Sequence, residues 1–167
     1  MNQLRVSQLK PNPAGKDRTR YGGATPAQLG AEWVDLKNLG PLAVNLDGLS
    51  LHHLAYPAGG GRPAWSLVCN LRGNLPAGQV LRVHSGRVRE TSVLRGEDLQ
   101  GAHFHAFSGK DEYVWNNAEG DTALVWREAT KVREDEASYD PFPPEGVILV
   151  RSGAKLIPVG RQAMFGR

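Results

Sequence analysis

Short stretches of alternating apolar and polar residues recur along most of the chain, and Gly, Pro, Asn and Asp separate them. In residues 32–38, Val34 and Leu36 lie on one face of an extended strand and charged residues lie on the other. Trp33 shares the outer face, where we expect it to pack at a rim. The pattern predicts nine or ten short strands and an all-β sandwich. The clearest strands cover residues 4–9, 32–38, 49–54, 65–71, 79–84, 101–107 and 122–126.

Helix is nearly absent from this prediction. Thr25 as a cap residue and a proline at the first helical position predict a single turn over residues 25–29. Residues 85–100 carry many charges and little periodicity, which predicts a long exposed loop. Residues 134–138 are mostly acidic and predict a solvated link, and the prolines of residues 140–146 predict a stiff connector.

The best-specified local structure is a β-hairpin in the second half of the chain. Residues 112–115 and 122–126 are rich in β-branched and aromatic side chains, and they flank residues 116–121. The Asn, Gly and Asp of that connector tolerate left-handed backbone angles. One interpretation is that residues 116–121 serve the turn only, because their side chains suit local backbone hydrogen bonds.

The same residues also carry a family resemblance. Val114-Trp115-Asn116-Asn117 and Gly120-Asp121-Thr122-Ala123-Leu124 together resemble the W-N-N-x-G-D-x-x-x-L signature of lamin-tail domains. Leu49 departs from the family, which has Trp at that position. Weaker similarities occur in the expected order at Asn12-Pro13-Ala14-Gly15, Glu32 to Gly40, Asn45-Leu46-Asp47-Gly48 and Leu75 to Val80, within about residues 1 to 133.

The resemblance implies an immunoglobulin-like β-sandwich of the lamin-tail type, here as a stand-alone bacterial-type member. We expect this domain to span residues 1–136. Residues 137–167 then form a Pro-rich connector, a hairpin of residues 147–150 and 155–159, and a basic tail packed on the same domain. Lamin tails contact chromatin and proteins, so the resemblance implies binding rather than catalysis.

Length and cysteine content indicate where such a protein works. A chain of 167 residues suits one domain, and the single Cys69 cannot form an internal disulfide. The first residues lack the apolar core of a signal peptide, and no apolar run approaches the ~20 residues that cross a bilayer. We therefore expect a cytoplasmic protein without membrane attachment. Cys69 alternates with Trp65, Leu67 and Leu71, which predicts a buried thiol.

Charge raises the possibility of nucleic-acid binding. The net charge of +3 conceals basic stretches in residues 1–30 and 62–95 and an acidic stretch in residues 111–145. A basic face could bind DNA through its phosphates without reading the sequence, although the charges could equally cover an ordinary solvated surface. The candidate residues are Lys16, Arg18, Arg20, Arg82, Arg87 and Arg89.

Catalytic and metal-binding patterns are weak. The chain lacks Gly-x-Ser-x-Gly and His-Glu-x-x-His, so we expect neither an enzyme nor a cofactor. His103 and His105 would share one strand face, and His84 on another strand could complete a three-nitrogen metal site. The alternative is that these histidines occupy an exposed strand face without metal.

Protein interaction is the function that the sequence favours over DNA binding. Exposed edge strands can pair with a partner chain or with a second copy of the same protein. The hairpin of residues 147–159 and the apolar pair in the tail would supply the contact. The predicted contact residues are Val147, Leu149, Met164 and Phe165.

Overall fold

The computed structural model describes residues 3–16, 23–87 and 89–159. Within these residues strands dominate and helices are short, so the predicted all-β class is confirmed. The strands are β1 (Leu4–Lys10), β2 (Trp33–Asn38), β3 (Val44–Asn45), β4 (Leu49–Ala55), β5 (Ala64–Asn70), β6 (Asn74–Leu75), β7 (Val80–His84), β8 (Phe104–Phe107), β9 (Asp121–Arg127), β10 (Val132–Tyr139), β11 (Leu149–Ser152) and β12 (Lys155–Pro158). The helices are α1 (Pro26–Gly30) and α2 (Gly96–Leu99), and a 3₁₀ turn covers Thr91–Val93.

Ten of these strands form one continuous sheet in the order β5-β4-β9-β10-β12-β11-β1-β2-β7-β8. Its parallel neighbours are β10 with β12 and β7 with β8, and the other neighbours are antiparallel. The short strands β3 and β6 pair separately. The two-sheet arrangement of an immunoglobulin-like sandwich stays a prediction.

The apolar residues that alternate along the strands meet in one core. Val34 and Leu36 on β2 are fully buried, as the alternation predicts, and they lie opposite Leu9 and Val6 on β1. Leu9 also lies opposite Leu149 on β11, so residues from both ends of the described chain share this core. β1 therefore places apolar residues opposite those of both its neighbours, β2 and β11.

The outer face of β2 is covered, contrary to the prediction that Trp33 packs at a rim. Trp33 is fully buried, its indole Nε1 donates to Asp98 Oδ1 at 2.9 Å, and the guanidinium of Arg82 lies 3.6 Å from its ring. Asp98 belongs to α2, inside the segment predicted to be a long exposed loop. That prediction is wrong for α2, whose Asp98 is buried against Trp33, and for Leu94, which is buried beside Gly30 of α1; most of the described residues between 87 and 97 are exposed, as predicted.

The predicted hairpin of residues 112–115 and 122–126 is wrong in its first strand. β9 forms where expected, but it pairs with β4 and with β10. The predicted acidic link of residues 134–138 lies inside β10. Its charge is accommodated because the Asp135 carboxylate accepts hydrogen bonds from Arg151 at 2.8 and 3.1 Å and from the backbone N–H of Val6 at 2.8 Å.

The C-terminal hairpin forms as predicted from β11 and β12. It is not an edge of the sheet, because β12 also pairs with β10 and β11 also pairs with β1. Among the helices of the described segments, none has the length and apolar character needed to cross a membrane.

Candidate functional site: a groove between two strand edges

The two ends of the ten-stranded sheet line the same groove. β5 and β8 are the terminal strands, and residues of both surround an open groove of about 810 Å³. Successive strand pairings make β5 and β8 run in opposite directions. A strand placed between them would therefore be parallel to one and antiparallel to the other, and the sheet already contains both kinds of pairing.

In both terminal strands, some backbone N–H and C=O groups point away from the neighbouring strand, towards the open edge of the sheet. The Leu67 carbonyl on β5 accepts a hydrogen bond from Lys110 Nζ at 2.5 Å, and Lys110 follows β8 in the chain. The N–H of Ser108, directly after β8, donates to His84 O at 2.8 Å, so the alternation along the strand turns the backbone of His105 and Phe107 away from β7. These edge groups are suited to pairing with a further strand.

The floor of the groove is continuous with the core. Cys69 on β5 and Ala106 on β8 pack against the buried cluster, and both line the groove. Leu67 and Phe104 lie beside them yet are 41% and 46% exposed. Burial raises the pKa of the Cys69 thiol to about 12, so this sulfur is an unreactive apolar contact.

The rim of the groove is basic. Arg72, Arg89 and Lys110 line it, and none of the lining residues in the described chain is Asp or Glu. The local field therefore favours negatively charged groups. Sequence patterns gave no sign of this groove, because it forms only when the two ends of the sheet come together.

Of the residues predicted to form a DNA-binding face, Lys16 and Arg82 are buried. Lys16 Nζ lies 2.5 Å from Glu32 Oε2, and it also donates to the carbonyls of Pro11 and Trp115. Arg82 donates two hydrogen bonds of 2.7 and 2.8 Å to the carboxylate of Asp35.

The prediction of a basic face is therefore wrong for Lys16 and Arg82, since their charges are neutralised inside the protein. Arg87 and Arg89 are exposed, as a DNA-binding role requires. Arg18 and Arg20 lie outside the described residues.

The three candidate histidines do not converge on one point. The ring Nδ1 of His84 lies 2.6 Å from the Gly30 carbonyl, so it carries the proton, and Nε2 accepts from His105 Nδ1 at 2.8 Å. His103 Nδ1 accepts from the N–H of Val80. Burial lowers the pKa of His84 to about 4. The proposed three-histidine site is wrong, and within residues 3–16, 23–87 and 89–159 no cluster of three or more His, Cys, Asp or Glu could hold a metal.

Of the predicted protein-contact residues, one lies inside the sheet, one lies just before β11, and two lie outside the described chain. Leu149 is buried in the core, and Val147 packs against that core. The predicted edge-strand contact is wrong for this hairpin, because β11 and β12 have strand neighbours on both sides; Val147, just before β11, is partly exposed. Met164 and Phe165 lie outside the described residues.

The segment that carries the lamin-tail resemblance is organised around the buried carboxylate of Asp121. Its two oxygens accept hydrogen bonds from the backbone N–H groups of Leu54, Asn116 and Thr122 at 2.7 to 3.1 Å. They also accept from the Asn116 amide and lie 2.8 Å from His53 Nδ1. Asp121 therefore joins β4 to the connector and does more than close a local turn.

The fold and the groove define an all-β protein whose large sheet ends in two open strands. No family model matches the chain, and no curated protein is significantly similar to it. The groove is thus the feature from which a function can be inferred.

Proposed function

We propose that this protein is a non-enzymatic binding module that accepts an extended segment of a partner protein as an additional strand between β5 and β8. The observation that carries this proposal is that the two terminal strands of the sheet line one groove. In this mode of recognition, main-chain hydrogen bonds supply affinity and side-chain pockets supply specificity. The edge-strand contact expected from the sequence is retained, but at β5 and β8 in place of residues 147–159.

The apolar part of the groove supports the same proposal. Leu67 and Phe104 are about half exposed, and covering each of them contributes about 1 kcal/mol. Each backbone hydrogen bond to an edge adds a net ~1 kcal/mol. These gains must offset the loss of freedom on binding, so an extended segment needs several residues in register to bind well.

The lamin-tail resemblance implies the same class of function, and the immunoglobulin-like arrangement remains part of the proposal. Its support is local, since Trp115 is buried and Asn116 is bonded to Asp121 through its backbone and its side chain. Asn116 and Asp121 of the motif therefore form one bonded pair, and the buried Trp115 directly precedes it.

The proposal can be tested with a display library of random linear peptides screened against the purified protein. We expect peptides to be enriched, and we expect them to slow hydrogen exchange in residues 64–70 and 104–107. The variants Leu67→Asp and Phe104→Asp should weaken binding, because each places a charge on the apolar wall. Leu42→Asp is the matched control, since Leu42 is 76% exposed and does not line the groove.

Two results would overturn the proposal. One is the absence of any enriched peptide. The other is protection that maps away from both strands, with Leu67→Asp and Phe104→Asp binding as well as Leu42→Asp.

Nucleic-acid binding is a second candidate, favoured by the exposure of Arg87 and Arg89. Fluorescence anisotropy of labelled single- and double-stranded DNA, over a salt series, tests it. Binding that falls steeply with salt and is weakened by Arg87→Glu and Arg89→Glu would move this function to first place. No binding at low salt would remove it.

A further inference from the structure

We infer that the segment bound by this groove is acidic as well as extended, and that Lys110 closes the empty groove until a carboxylate of the partner draws it away. This inference rests on the proposed function and adds the chemistry of the partner. The occupant is a peptide strand in which apolar side chains alternate with Asp or Glu.

The first support is the distribution of charge around the groove. Arg72 follows β5, Arg89 lies in the segment after β7, and Lys110 follows β8, so cations come from both sides. The whole chain has 17 acidic and 20 basic residues, so acidic residues are not scarce overall. Their absence from the described lining therefore makes the groove complementary to an anionic segment.

The second support is the difference in exposure between the residues at the floor of the groove and those at its rim. Cys69 and Ala106 face the core, whereas Arg72 and Arg89 are exposed. Successive side chains of a strand point to opposite faces. A strand in the groove would thus direct every second side chain towards the apolar floor and the others towards the cations.

The third support is the bond between Lys110 Nζ and the Leu67 carbonyl, at 2.5 Å. This bond links the segment after β8 to the edge of β5, and the ammonium takes the place that an N–H of an added strand would occupy. The backbone N–H of Lys110 donates to Ser108 Oγ at 3.3 Å, which fixes the base of the side chain.

Binding must therefore break the Lys110 contact before β5 can pair fully. A neutral strand replaces a charge-assisted hydrogen bond with an ordinary one, which is a net loss at this position. An acidic strand replaces it with a backbone hydrogen bond and also provides a carboxylate for the released ammonium. The groove should consequently prefer acidic over neutral segments and neutral over basic ones.

Three labelled peptides of seven residues, the length of β5, test this preference. They alternate Val with Glu, Val with Gln or Val with Lys, and binding is measured by fluorescence anisotropy at low and at physiological salt. We expect the Glu peptide to bind roughly tenfold more tightly than the Gln peptide at low salt, because exposed ion pairs each contribute a few-fold. The preference should shrink as salt rises.

Variants then assign the preference to the groove. Lys110→Gln and Arg89→Gln should each reduce the ratio of Glu-peptide to Gln-peptide affinity by roughly two- to fivefold. Lys155→Gln is the matched control, because its ammonium is exposed, pairs with Asp140 and does not line the groove. Lys110→Gln should raise the affinity for the Gln peptide, since the bond that closes the groove is weakened, and an unchanged affinity would contradict the closing role of Lys110.

The outcomes separate this inference from the function on which it rests. If the Gln peptide binds as tightly as the Glu peptide while residues 64–70 and 104–107 are protected, the acidic preference is wrong and the edge-strand function stands. If an oligonucleotide displaces the Glu peptide and binds more tightly, the occupant is a nucleic acid and the inference fails. If no peptide binds and the random library yields none, both fail.

Discussion

Lys16 Nζ lies 2.5 Å from Glu32 Oε2 in the interior of the protein. The other oxygen of Glu32 accepts hydrogen bonds from the backbone N–H groups of Val114 and Trp115, at 2.6 and 3.2 Å, and from Ser85 Oγ. Burial raises the pKa of Glu32, and the Lys16 ammonium opposes that rise. The pair thus supplies the polar partners that residues 114–115 would otherwise find in a neighbouring strand.

Lys16→Met should destabilise the protein by about 3 kcal/mol, because it leaves the buried Glu32 carboxylate without its cation. The free energy of unfolding from urea titration measures this. Lys155→Met is the control, since the Lys155 pair with Asp140 is exposed and should contribute less than about 1 kcal/mol. Equal losses in the two variants would contradict a structural role for the Lys16 pair.

Asp121→Asn should lower the free energy of unfolding by about 2 to 3 kcal/mol. The amide NH2 of Asn would replace one acceptor oxygen, so it would face N–H donors that now bond to the carboxylate. Asp47→Asn is a matched control, since the Asp47 side chain accepts one exposed hydrogen bond, from Gly73. Thermal and urea unfolding of the two variants gives the comparison. A loss in Asp121→Asn no larger than that in Asp47→Asn would show that the Asp121 bonds are dispensable.

Gly120→Ala should be more destabilising than Gly48→Ala. Both glycines have positive φ, +70° and +82°, so each alanine carries a backbone cost of about 1 kcal/mol. A Cβ at Gly120 would also run into the carbonyl oxygen of Tyr139, whereas nothing lies within 4 Å at Gly48. The difference between the two free energies of unfolding isolates the steric part, and similar values would mean that the 139–141 backbone moves away without cost.

Stability should fall with acidification in a way that depends on His84. Burial lowers the pKa of His84 to about 4 from 6.5, so between these values the unfolded chain binds a proton that the folded protein excludes. The His84 contribution, about 3 kcal/mol, is present above pH 6.5 and is lost as the pH falls to about 4. Urea titrations between pH 4 and 7 should give a steeper dependence for the wild type than for His84→Leu. Parallel curves would contradict the exclusion of this proton.

Much of the secondary structure could be predicted, because alternation reports burial on strand faces. The turn of helix after Thr25 forms with the predicted cap, in which the Thr25 hydroxyl accepts from the N–H of Gln28. Residues 32–38, 79–84 and the C-terminal hairpin form strands at nearly the expected bounds. In these segments local preference and tertiary packing agree.

The secondary-structure predictions fail where a charged residue far away in the sequence pairs with a backbone group or with another charge. Glu32 bonds the backbone of residues 114–115, so a run that resembles a strand pairs with no strand in the described chain. Arg151 neutralises Asp135, so an acidic run that resembles a solvated link becomes a strand. Neither partner could be identified from its position in the sequence.

The candidate site was missed for a related reason. Leu67 and Phe104 appear in the sequence as ordinary strand residues, and only the order of the ten strands brings them to one groove. Arg89 was predicted as a phosphate contact from its charge, and it lies at the rim of that groove. Charge could be counted from the sequence, but the surface that presents it could not.

The position of β1 in the sheet affects how the protein is made. β1 lies between β2, which follows it closely in the chain, and β11, which emerges from the ribosome only after β2 to β10 have been made. While translation continues, β1 must keep one side unpaired, and so must β10, whose partner β12 comes later still. A chain released before residue 149 would expose the unpaired edges of β1 and β10 to other nascent chains. Chaperones and proteases should therefore recognise such truncated products far better than the folded protein.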